Sequence, residues 1–380
     1  MTPPMEYIED YTLAGLSRWL AAEGEKPFRA KQIFQWLYQH MARDFEEMTS
    51  VSRAMRAKLA GRFRLGGLER AAVLHSEDGS VKYRFRLPDG NEIETVLMPG
   101  ASHNTLCVST QVGCAMGCDF CMTARMGLVR NLTAGEIVQQ VVQAARDLPD
   151  RAFIRNVVFM GMGEPLHNYD NVVRSIETLS EDNGFGFSGR RLTVSTSGLV
   201  PAIRRFIREG VRANLAVSLN AVTDEVRTAL MPVNRRWNLE ALLAACREFP
   251  AESRIRLTFE YVLLGGVNDS LADARRLVKL LHGIKCKVNL IPYNPPPGLP
   301  YRPPDLERVR AFQRKLLDHG LLATVRLSRG QDIQAACGQL IAGETAPRGR
   351  FARPTRGPIG SAAPGGKGGG ASTARPSPAG

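Results

Sequence analysis

Apolar residues recur at two spacings along the first hundred positions, and each spacing predicts a different element. Over residues 11–66 they recur every three or four positions, as in amphipathic helices, and Thr12 stands where it can cap the first helix. Residues 83–87 and 93–98 alternate instead, with a turn sequence at 88–91 between them. We therefore expect helices followed by a β-hairpin.

From about residue 105 onward, short apolar runs alternate with amphipathic segments. Strands that alternate with helices predict a parallel sheet covered by helices, and this many units suffice for a partial (β/α) barrel of the α/β class. In such barrels the active residues lie at the carboxyl ends of the strands. The predicted strands are 105–109, 156–160, 191–195, 213–219, 255–263, 285–291 and 323–327, and the predicted helices are 134–146, 169–180, 201–209, 238–249, 270–281 and 304–319.

This pattern divides the chain into three parts. Residues 1–98 form an accessory unit of helices and a hairpin, and residues 99–343 form the core. Residues 344–380 are mostly Arg, Pro, Gly, Ala and Ser. Because such a composition cannot bury a core, we expect a disordered tail.

Composition narrows the class of protein. With 380 residues, of which 44% are hydrophobic, the chain is typical of a globular protein. It contains no apolar run of the roughly 18 residues that a membrane span needs, and its start lacks the pattern of a secretory signal. Seven cysteines, an odd number, favour metal binding and catalysis over disulfide bonds. We expect a cytoplasmic protein with no membrane partner.

The net charge of +13 favours polyanionic partners such as RNA, although six of those charges lie in the tail after Glu344. A basic helical segment in the accessory unit is either an ordinary solvated face or an RNA-facing patch, and both interpretations stay open. Charge and position make residues 1–98 the expected RNA-docking unit. The basic segment carries Arg53, Arg56, Lys58, Arg62 and Arg64.

The most specific pattern is three cysteines at CxxxCxxC spacing, Cys114, Cys118 and Cys121. Thiolates select zinc, Cu(I) or iron–sulfur clusters. A closed zinc site or a fully protein-ligated [4Fe–4S] cluster needs four ligands, and no fourth Cys or His lies in the loop. The economical interpretation is a [4Fe–4S] cluster with one open iron. The alternatives are a zinc site completed by a distant residue such as His103, and unliganded thiols.

The CxxxCxxC loop, with Phe120 before its last cysteine, resembles the radical S-adenosylmethionine (SAM) superfamily. The sequence Gly-Met-Gly-Glu-Pro at 161–165 follows an apolar run, and glycines there let a ligand approach the backbone closely. It resembles the element that holds the SAM amino group, although a plain strand-to-helix turn has the same pattern. Short polar side chains also end later strands, at 194–198, 218–220 and 291–295. Each alone could be a cap or a turn, whereas together they favour a site.

Four cysteines lie outside the metal loop. A lone cysteine is usually a small buried hydrophobe, which is the role we expect for Cys246 and Cys286. Cys337 is followed by glycine and approached by polar residues, which indicates an accessible loop. Cys107 lies seven residues before the metal loop.

Several segments together resemble the RlmN family of RNA methyltransferases, and the resemblance covers residues 29–340. Members of that family methylate C2 of an adenosine in the peptidyl-transferase region of 23S rRNA, and many also modify C2 of the adenosine beside the anticodon of tRNA. This carbon is not nucleophilic, so the reaction needs radical chemistry. The segments that carry the resemblance are 106–114, 161–165, 195–198, 289–292 and 336–339.

The resemblance implies a [4Fe–4S] cluster on Cys114, Cys118 and Cys121, with SAM on the open iron. It also implies an electron donor, which the sequence does not identify. Asn220 departs from the family pattern, since many relatives have His there. The implied SAM contacts are Gly163, Glu164, Ser195, Ser218, Leu219, Asn220 and Asn294.

The resemblance further implies two SAM molecules per turnover. The first methylates Cys337, and the second yields a 5′-deoxyadenosyl radical that takes hydrogen from the S-methyl group. The resulting methylene radical adds to adenine C2, and Glu94, by itself an ordinary hairpin carboxylate, accepts the C2 proton. Cys107 then attacks the Cys337 sulfur, which forms a transient disulfide and releases the methylated RNA.

Two alternative functions remain open at this point. A related resistance-type enzyme methylates adenine C8 of rRNA with the same two cysteines, and spacing alone does not distinguish it. A noncatalytic iron–sulfur protein that binds RNA or senses redox state would leave Glu164 and Cys337 without a role.

Overall fold

The structure, a computed structural model, describes residues 5–100, 103–148, 154–250 and 254–341. The tail expected at 344–380 lies outside these ranges. Within them, no helix is both long and apolar enough to cross a membrane.

The helices follow the predicted periodicity closely. They are α1 (Leu13–Ala22), α2 (Phe28–Tyr38), α3 (Arg53–Arg62), α4 (Met122–Arg125), α5 (Ala134–Arg146), α6 (Tyr169–Ser180), α7 (Val200–Arg208), α8 (Asp224–Leu230), α9 (Leu239–Arg247), α10 (Leu271–Leu281) and α11 (Leu306–Leu317). Thr12 caps α1, because its hydroxyl accepts a hydrogen bond from the Gly15 amide (3.2 Å). Periodicity does not predict α4 and α8, since both are too short to show a helical repeat.

Each predicted strand is present within a few residues of its expected bounds, whereas four short strands, at 6–7, 63–64, 111–113 and 128–131, are not predicted by the sequence pattern. The strands are β1 (Glu6–Tyr7), β2 (Phe63–Arg64), β3 (Glu69–His75), β4 (Val81–Arg86), β5 (Glu92–Met98), β6 (Asn104–Cys107), β7 (Gln111–Gly113), β8 (Leu128–Asn131), β9 (Ile154–Phe159), β10 (Leu192–Thr196), β11 (Asn214–Ser218), β12 (Leu257–Leu263), β13 (Cys286–Pro292) and β14 (Ala323–Val325). Seven of them run parallel as neighbours in the order β14-β13-β12-β11-β10-β9-β6. This confirms the predicted α/β class and the partial (β/α) barrel.

The predicted hairpin does not form a sheet of its own. Strand β5 pairs antiparallel with β6, with Val96 opposite Cys107, so that β5, β4 and β3 extend the core sheet. An uncovered edge of β6 would expose unpaired backbone amides and carbonyls, and β5 satisfies them. As a result, Glu94 on β5 and Cys107 on β6 lie on adjacent strands.

The N-terminal segment contacts α5 through two acids. The Gln139 side chain on α5 and the Gly66 amide both donate hydrogen bonds to Glu9 Oε1. The Gly135 amide, in the first turn of α5, donates to Asp10 Oδ1 (2.8 Å). Glu9 is only 1% exposed, and this burial raises its pKa to about 7.

We expect Glu9 to make the stability of this contact pH-dependent. Because its pKa is higher in the folded than in the unfolded chain, the folded state binds the extra proton. The free energy of unfolding therefore falls by about 3 kcal/mol in total as pH rises from about 4.5 through 7. Glu9→Gln stays neutral, so it should be more stable than the parent at pH 8 and similar near pH 5.

Urea unfolding at the two pH values measures this difference. Glu177→Gln, at an exposed position on α6, is the control and should show no such change. A Glu9→Gln protein that was less stable than the parent at pH 8 would contradict the assignment.

Candidate active site

A cavity lies where the parallel strands end. It encloses about 1110 Å³ of space between protein atoms, part of which opens to solvent. The structure places most of the sequence-predicted site residues on its wall, namely Cys114, Cys118, Cys121, Gly163, Glu164, Ser195, Ser218, Asn220, Asn294 and Cys337.

The three cysteines of the CxxxCxxC motif are brought together by short backbone contacts. The Cys114 amide donates to the Gly127 carbonyl (2.9 Å), and the Cys121 amide donates to the Cys118 carbonyl (3.2 Å). All three are free thiols. Burial raises the pKa of Cys114 to about 12, so this thiol stays protonated until a metal ion replaces the proton.

The zinc alternative raised by the sequence is not supported. Within the described residues, no three His, Cys, Asp or Glu side chains converge as ligands of one metal ion. A site formed by the three cysteines and His103 would be such a group.

Glu164 is held rigidly at the wall. Its carboxylate accepts hydrogen bonds from the amides of Ser197 (2.7 Å) and Leu166 (3.1 Å), and its own amide donates to the side chain of Gln111 (2.8 Å). Burial raises the pKa of Glu164 and these amides oppose the shift. Glu164 lines the cavity, so its carboxylate can also accept a hydrogen bond from an ammonium group there.

The predicted SAM contacts at 218–220 are not equivalent. Leu219 is fully buried and does not line the cavity. Asn220 lines it with a left-handed backbone (φ 57°), which Asn tolerates better than most residues. Its side-chain oxygen already accepts a hydrogen bond from the Val262 amide (2.9 Å). The Asn220 side chain also donates to the sulfur of Met231 (3.2 Å), and its backbone carbonyl accepts a hydrogen bond from the Asn268 side chain (2.7 Å). Asn220 therefore mainly braces the end of β12.

Cys337 is shared by the main cavity and a smaller one beside it. Cys107 and Arg326 line the smaller cavity. Burial raises the pKa of Cys107 to about 12, while the Arg326 guanidinium opposes that shift. Both cysteines are free thiols in this structure.

Glu94 lines neither of these two cavities. Its carboxylate pairs with Lys82 (3.1 Å) and accepts a hydrogen bond from the Ile341 amide (3.0 Å). Burial raises the pKa of Glu94, and the charge of Lys82 opposes this shift.

Sequence reasoning missed Arg227, which lies fully buried behind the site. Its guanidinium donates to the carbonyls of Ser197 (2.7 Å), Leu219 (3.0 Å) and Ser218 (3.2 Å). It thereby ties together the ends of β10 and β11, which carry predicted SAM contacts. Burial lowers the pKa of Arg227 to about 10. Nothing in the sequence marks this arginine, because its helix is too short to be predicted.

Glu260 was missed as well. It lies on β12 beside Ser218, is buried and lines the main cavity. One carboxylate oxygen accepts a hydrogen bond from Asn289 (2.8 Å), and the other has no partner in the described part of the chain. Such an orphaned buried atom is expected where a ligand completes the site.

Comparison with known proteins decides the family. The Radical SAM superfamily model matches residues 108–278, and the model of the Ribosomal RNA large subunit methyltransferase N-terminal domain matches residues 8–65. A protein of Syntrophotalea carbinolica named Dual-specificity RNA methyltransferase RlmN is 53% identical over 334 residues, which cover 88% of this chain and 89% of that protein. A protein of the same name from Pelobacter propionicus is 51% identical, with 88% and 95% covered. The chain belongs to the RlmN family.

A solved structure supports this assignment. The crystal structure of a radical SAM methyltransferase from Sphaerobacter thermophilus is 50% identical and superimposes with a TM-score of 0.83, covering 89% of this chain and 99% of that one. This RlmN-family chain is therefore a SAM-dependent RNA methyltransferase of the radical SAM type.

Membership of the radical SAM superfamily implies a [4Fe–4S] cluster and SAM. The residues present fit these groups. Three thiols supply soft donors for iron, and Glu164 offers a buried carboxylate for the SAM ammonium. The hydroxyl of Ser197 and one oxygen of Glu260 are buried atoms that still need partners among the described residues.

Gly163→Ala should damage the SAM site. Gly163 has φ 106°, and an added Cβ would stand 2.6 Å from the Gln111 side chain, which holds the Glu164 amide. The displaced carboxylate should weaken SAM binding by roughly 10-fold or more, since hydrogen bonds to charged groups contribute about 1.5–3 kcal/mol. Isothermal titration calorimetry on the reconstituted protein measures this.

Gly210→Ala is the matched control. Gly210 also has positive φ (60°), but an added Cβ there meets nothing within 4 Å. It should lose some stability and bind SAM like the parent. If both variants bound SAM equally well, the assigned role of the close contact at Gly163 would be wrong.

Proposed function

We propose that this enzyme methylates C2 of an adenosine in the peptidyl-transferase region of 23S rRNA, and C2 of the adenosine beside the anticodon of tRNA. The observation that carries the proposal is the position of Cys337. It lines the cavity that contains the three-cysteine loop and Glu164, and also the smaller cavity that contains Cys107. A methyl carrier needs access to SAM on one side and to a resolving thiol on the other.

The same geometry supports the cofactor residues that we propose. Cys114, Cys118 and Cys121 would hold three irons of the cluster and leave the fourth for SAM. Glu164 would bind the SAM ammonium group. Ser195, Ser218, Asn220 and Asn294 would contact the rest of SAM from the strand ends. Leu219 would act indirectly, because its backbone amide donates to the Glu260 carbonyl and its carbonyl accepts from Arg227.

When bound, the reduced cluster and two SAM molecules supply a methyl group and a 5′-deoxyadenosyl radical that accepts a hydrogen atom. The thiolate of Cys337 takes the methyl group: a new carbon–sulfur bond forms on Cys337 as the bond between the methyl group and the SAM sulfur breaks, and S-adenosylhomocysteine leaves. Loss of one hydrogen atom then leaves a methylene radical on Cys337, and this carbon adds to C2 of the adenine. The methylene carbon can react with C2, which is otherwise unreactive, because Cys337 holds the two carbons close together.

Release of the product requires a base and a second thiol. The adduct gives up one electron to a one-electron acceptor, and its C2 proton passes to Glu94. The sulfur of Cys107 then attacks that of Cys337, so the S–S bond forms and the S–CH₂ bond breaks. The electron pair stays on the methylene carbon, which takes up a proton and becomes the methyl group. Burial raises the pKa of Cys107 to about 12, so its thiol must lose a proton during this attack. An external electron donor then reduces the disulfide.

RNA docking is proposed for residues 1–98, and residues 99–343 are proposed as the radical SAM core. Glu94, on the hairpin, is the catalytic residue that the first unit contributes. The match of residues 8–65 to a ribosomal RNA methyltransferase domain supports this division. The basic segment contributes less than its sequence suggests, because three of its cations are paired: Arg56 with Glu46 (3.2 Å), Lys58 with Glu23 (2.8 Å) and Arg62 with Glu6 (2.8 Å). Arg53 and Arg64 are exposed and are the cations best placed for phosphates.

Nucleoside mass spectrometry tests the reaction directly. Reconstituted enzyme is incubated anaerobically with SAM, a reductant and unmodified 23S rRNA or tRNA, and the RNA is digested. We expect 2-methyladenosine from both substrates. A peak of 8-methyladenosine would instead indicate the resistance-type reaction, and SAM cleavage without any methyladenosine would contradict the substrate assignment.

Variants of the carrier cysteine and the resolving cysteine should stop the reaction at different steps. Cys337→Ala should neither methylate RNA nor attach to it, because the carrier sulfur is missing. Cys107→Ala should retain RNA covalently, because the adduct cannot be resolved. Denaturing gels after purification separate the two outcomes, and Cys286→Ala is the control that should behave like the parent. Normal methylation by Cys337→Ala would overturn the proposed mechanism.

A further inference from the structure

The loop that carries Cys337 is held by the hairpin strands. We call residues 330–341 the carrier loop. At its beginning, the Gly330 amide donates to the carboxylate of Asp78 (2.9 Å). The carboxylate of Asp332 accepts hydrogen bonds from the hydroxyl of Ser76 and the amide of Glu77. The turn between β3 and β4 therefore fixes the first residues of the loop.

Two buried charges fix the loop on either side of Cys337. Lys82 on β4 lies 3.1 Å from the carboxylate of Glu94 on β5 and donates to the Gln334 carbonyl (3.3 Å). Glu94 accepts the hydrogen bond from the Ile341 amide (3.0 Å). Gln334 precedes Cys337 by three residues and Ile341 follows it by four, so one ion pair brackets the carrier cysteine.

The shape of the loop depends on these contacts. Gln334 has φ 53° and Gly338 has φ 81°, values that most side chains avoid, so local preference alone does not hold the loop in place. Lys82 and Glu94 are 6% and 4% exposed. Burying an ion pair costs desolvation free energy even when the pair is well formed. One role that buried ion pairs have is to select a single conformation of the surrounding chain.

We propose that Lys82 is a positioning residue, which holds the carrier loop and the carboxylate of Glu94 in one fixed arrangement. This inference rests on the proposed function, in which Cys337 carries the methylene carbon and Glu94 takes the C2 proton. The single ammonium group contacts the proton acceptor and the backbone beside the carrier cysteine. The core also holds this loop, because the Met122 amide donates to the Gly338 carbonyl (2.7 Å) and the Thr123 hydroxyl donates to the Leu340 carbonyl (2.6 Å). Lys82 adds the contact that joins the loop to the proposed base.

Lys82 also sets the protonation state of Glu94. The charged groups that face Glu94 in the described structure are Lys82 and Arg84, both on β4, and Arg84 is paired with Glu92 (3.3 Å). Ser109, Met162 and the carrier loop contribute only neutral groups. Burial already raises the pKa of Glu94, so without Lys82 its carboxyl would stay protonated to higher pH and could not accept the C2 proton.

The test uses the full-length, reconstituted enzyme with Lys82→Met, Lys82→Arg and Glu94→Gln. Lys279→Met, at an exposed position on α10, is the matched control. Hydrogen exchange of the peptides covering residues 330–341 measures how readily the carrier loop opens. Denaturing gels at several pH values report how fast the covalent RNA adduct is resolved.

We expect Lys82→Met to exchange faster in the carrier loop and to accumulate the adduct, as Glu94→Gln does. Resolution should slow by roughly 10-fold or more at pH 7, because a positioned base contributes about that much or more. The rate of adduct resolution should recover as pH rises in Lys82→Met but not in Glu94→Gln. Lys82→Arg keeps the charge and should restore part of the rate, and Lys279→Met should match the parent.

Lys82→Met leaves an unpaired buried carboxylate and could fail to fold. The double variant Lys82→Met/Glu94→Gln has no such charge and should still show faster exchange in the loop. Exchange like the parent's in the double variant, or normal adduct resolution by a folded Lys82→Met, would overturn the proposal. If the parent and Cys107→Ala formed no adduct while loop exchange still rose, the proposed function would fail and the positioning of the loop would stand.

Discussion

The whole site depends on a backbone contact that only glycine permits. The Gly161 amide donates to the Val108 carbonyl (3.0 Å), and an added Cβ at Gly161 would stand 2.8 Å from that backbone. At Gly163 an added Cβ would collide with Gln111. The ends of β6 and β9 therefore lie against each other without side chains between them. This contact brings the start of the metal loop and Glu164 to one cavity and Cys107 to the smaller cavity beside it, although they come from separate parts of the chain.

Around these cavities the protein buries groups that become anions. Burial raises the pKa values of the thiol of Cys114 and the carboxyls of Glu164 and Glu260. Arg227, a nearby buried cation, donates its hydrogen bonds to backbone carbonyls and to the side chain of Asn234. The charge of Arg326 opposes the rise in the pKa of Glu260. Buried charges need partners. Iron and the positively charged groups of SAM can be those partners. Burying these anionic groups is therefore costly for the protein alone but favours binding of its cofactors.

The continuous sheet links the two halves of the proposed chemistry. Because β5 pairs with β6, the strand of the proposed base lies beside the strand of the resolving cysteine. The hairpin also holds the carrier loop, so Cys337, the third reacting residue, is positioned against the same strands. A hairpin that looks like an appendage in the sequence is thus part of the framework of the reaction.

The sequence by itself determined the succession of strands and helices, the three-cysteine loop and the residues at the strand ends. These are local properties, since apolar spacing and motif spacing are set by residues close together in the chain. The family resemblance named Cys107, Cys337 and Glu94, but no spacing related them to one another.

Only the tertiary structure decided how distant groups pair. Lys82 contacts Gln334 across 252 positions, Arg227 ties two strand ends from a helix too short to predict, and the side chain of Asn220 is taken up by β12. Three cations of the basic segment are paired with acids. Which polar groups become neighbours is set by how the sheet and loops pack, and no local pattern in a single sequence contains that information.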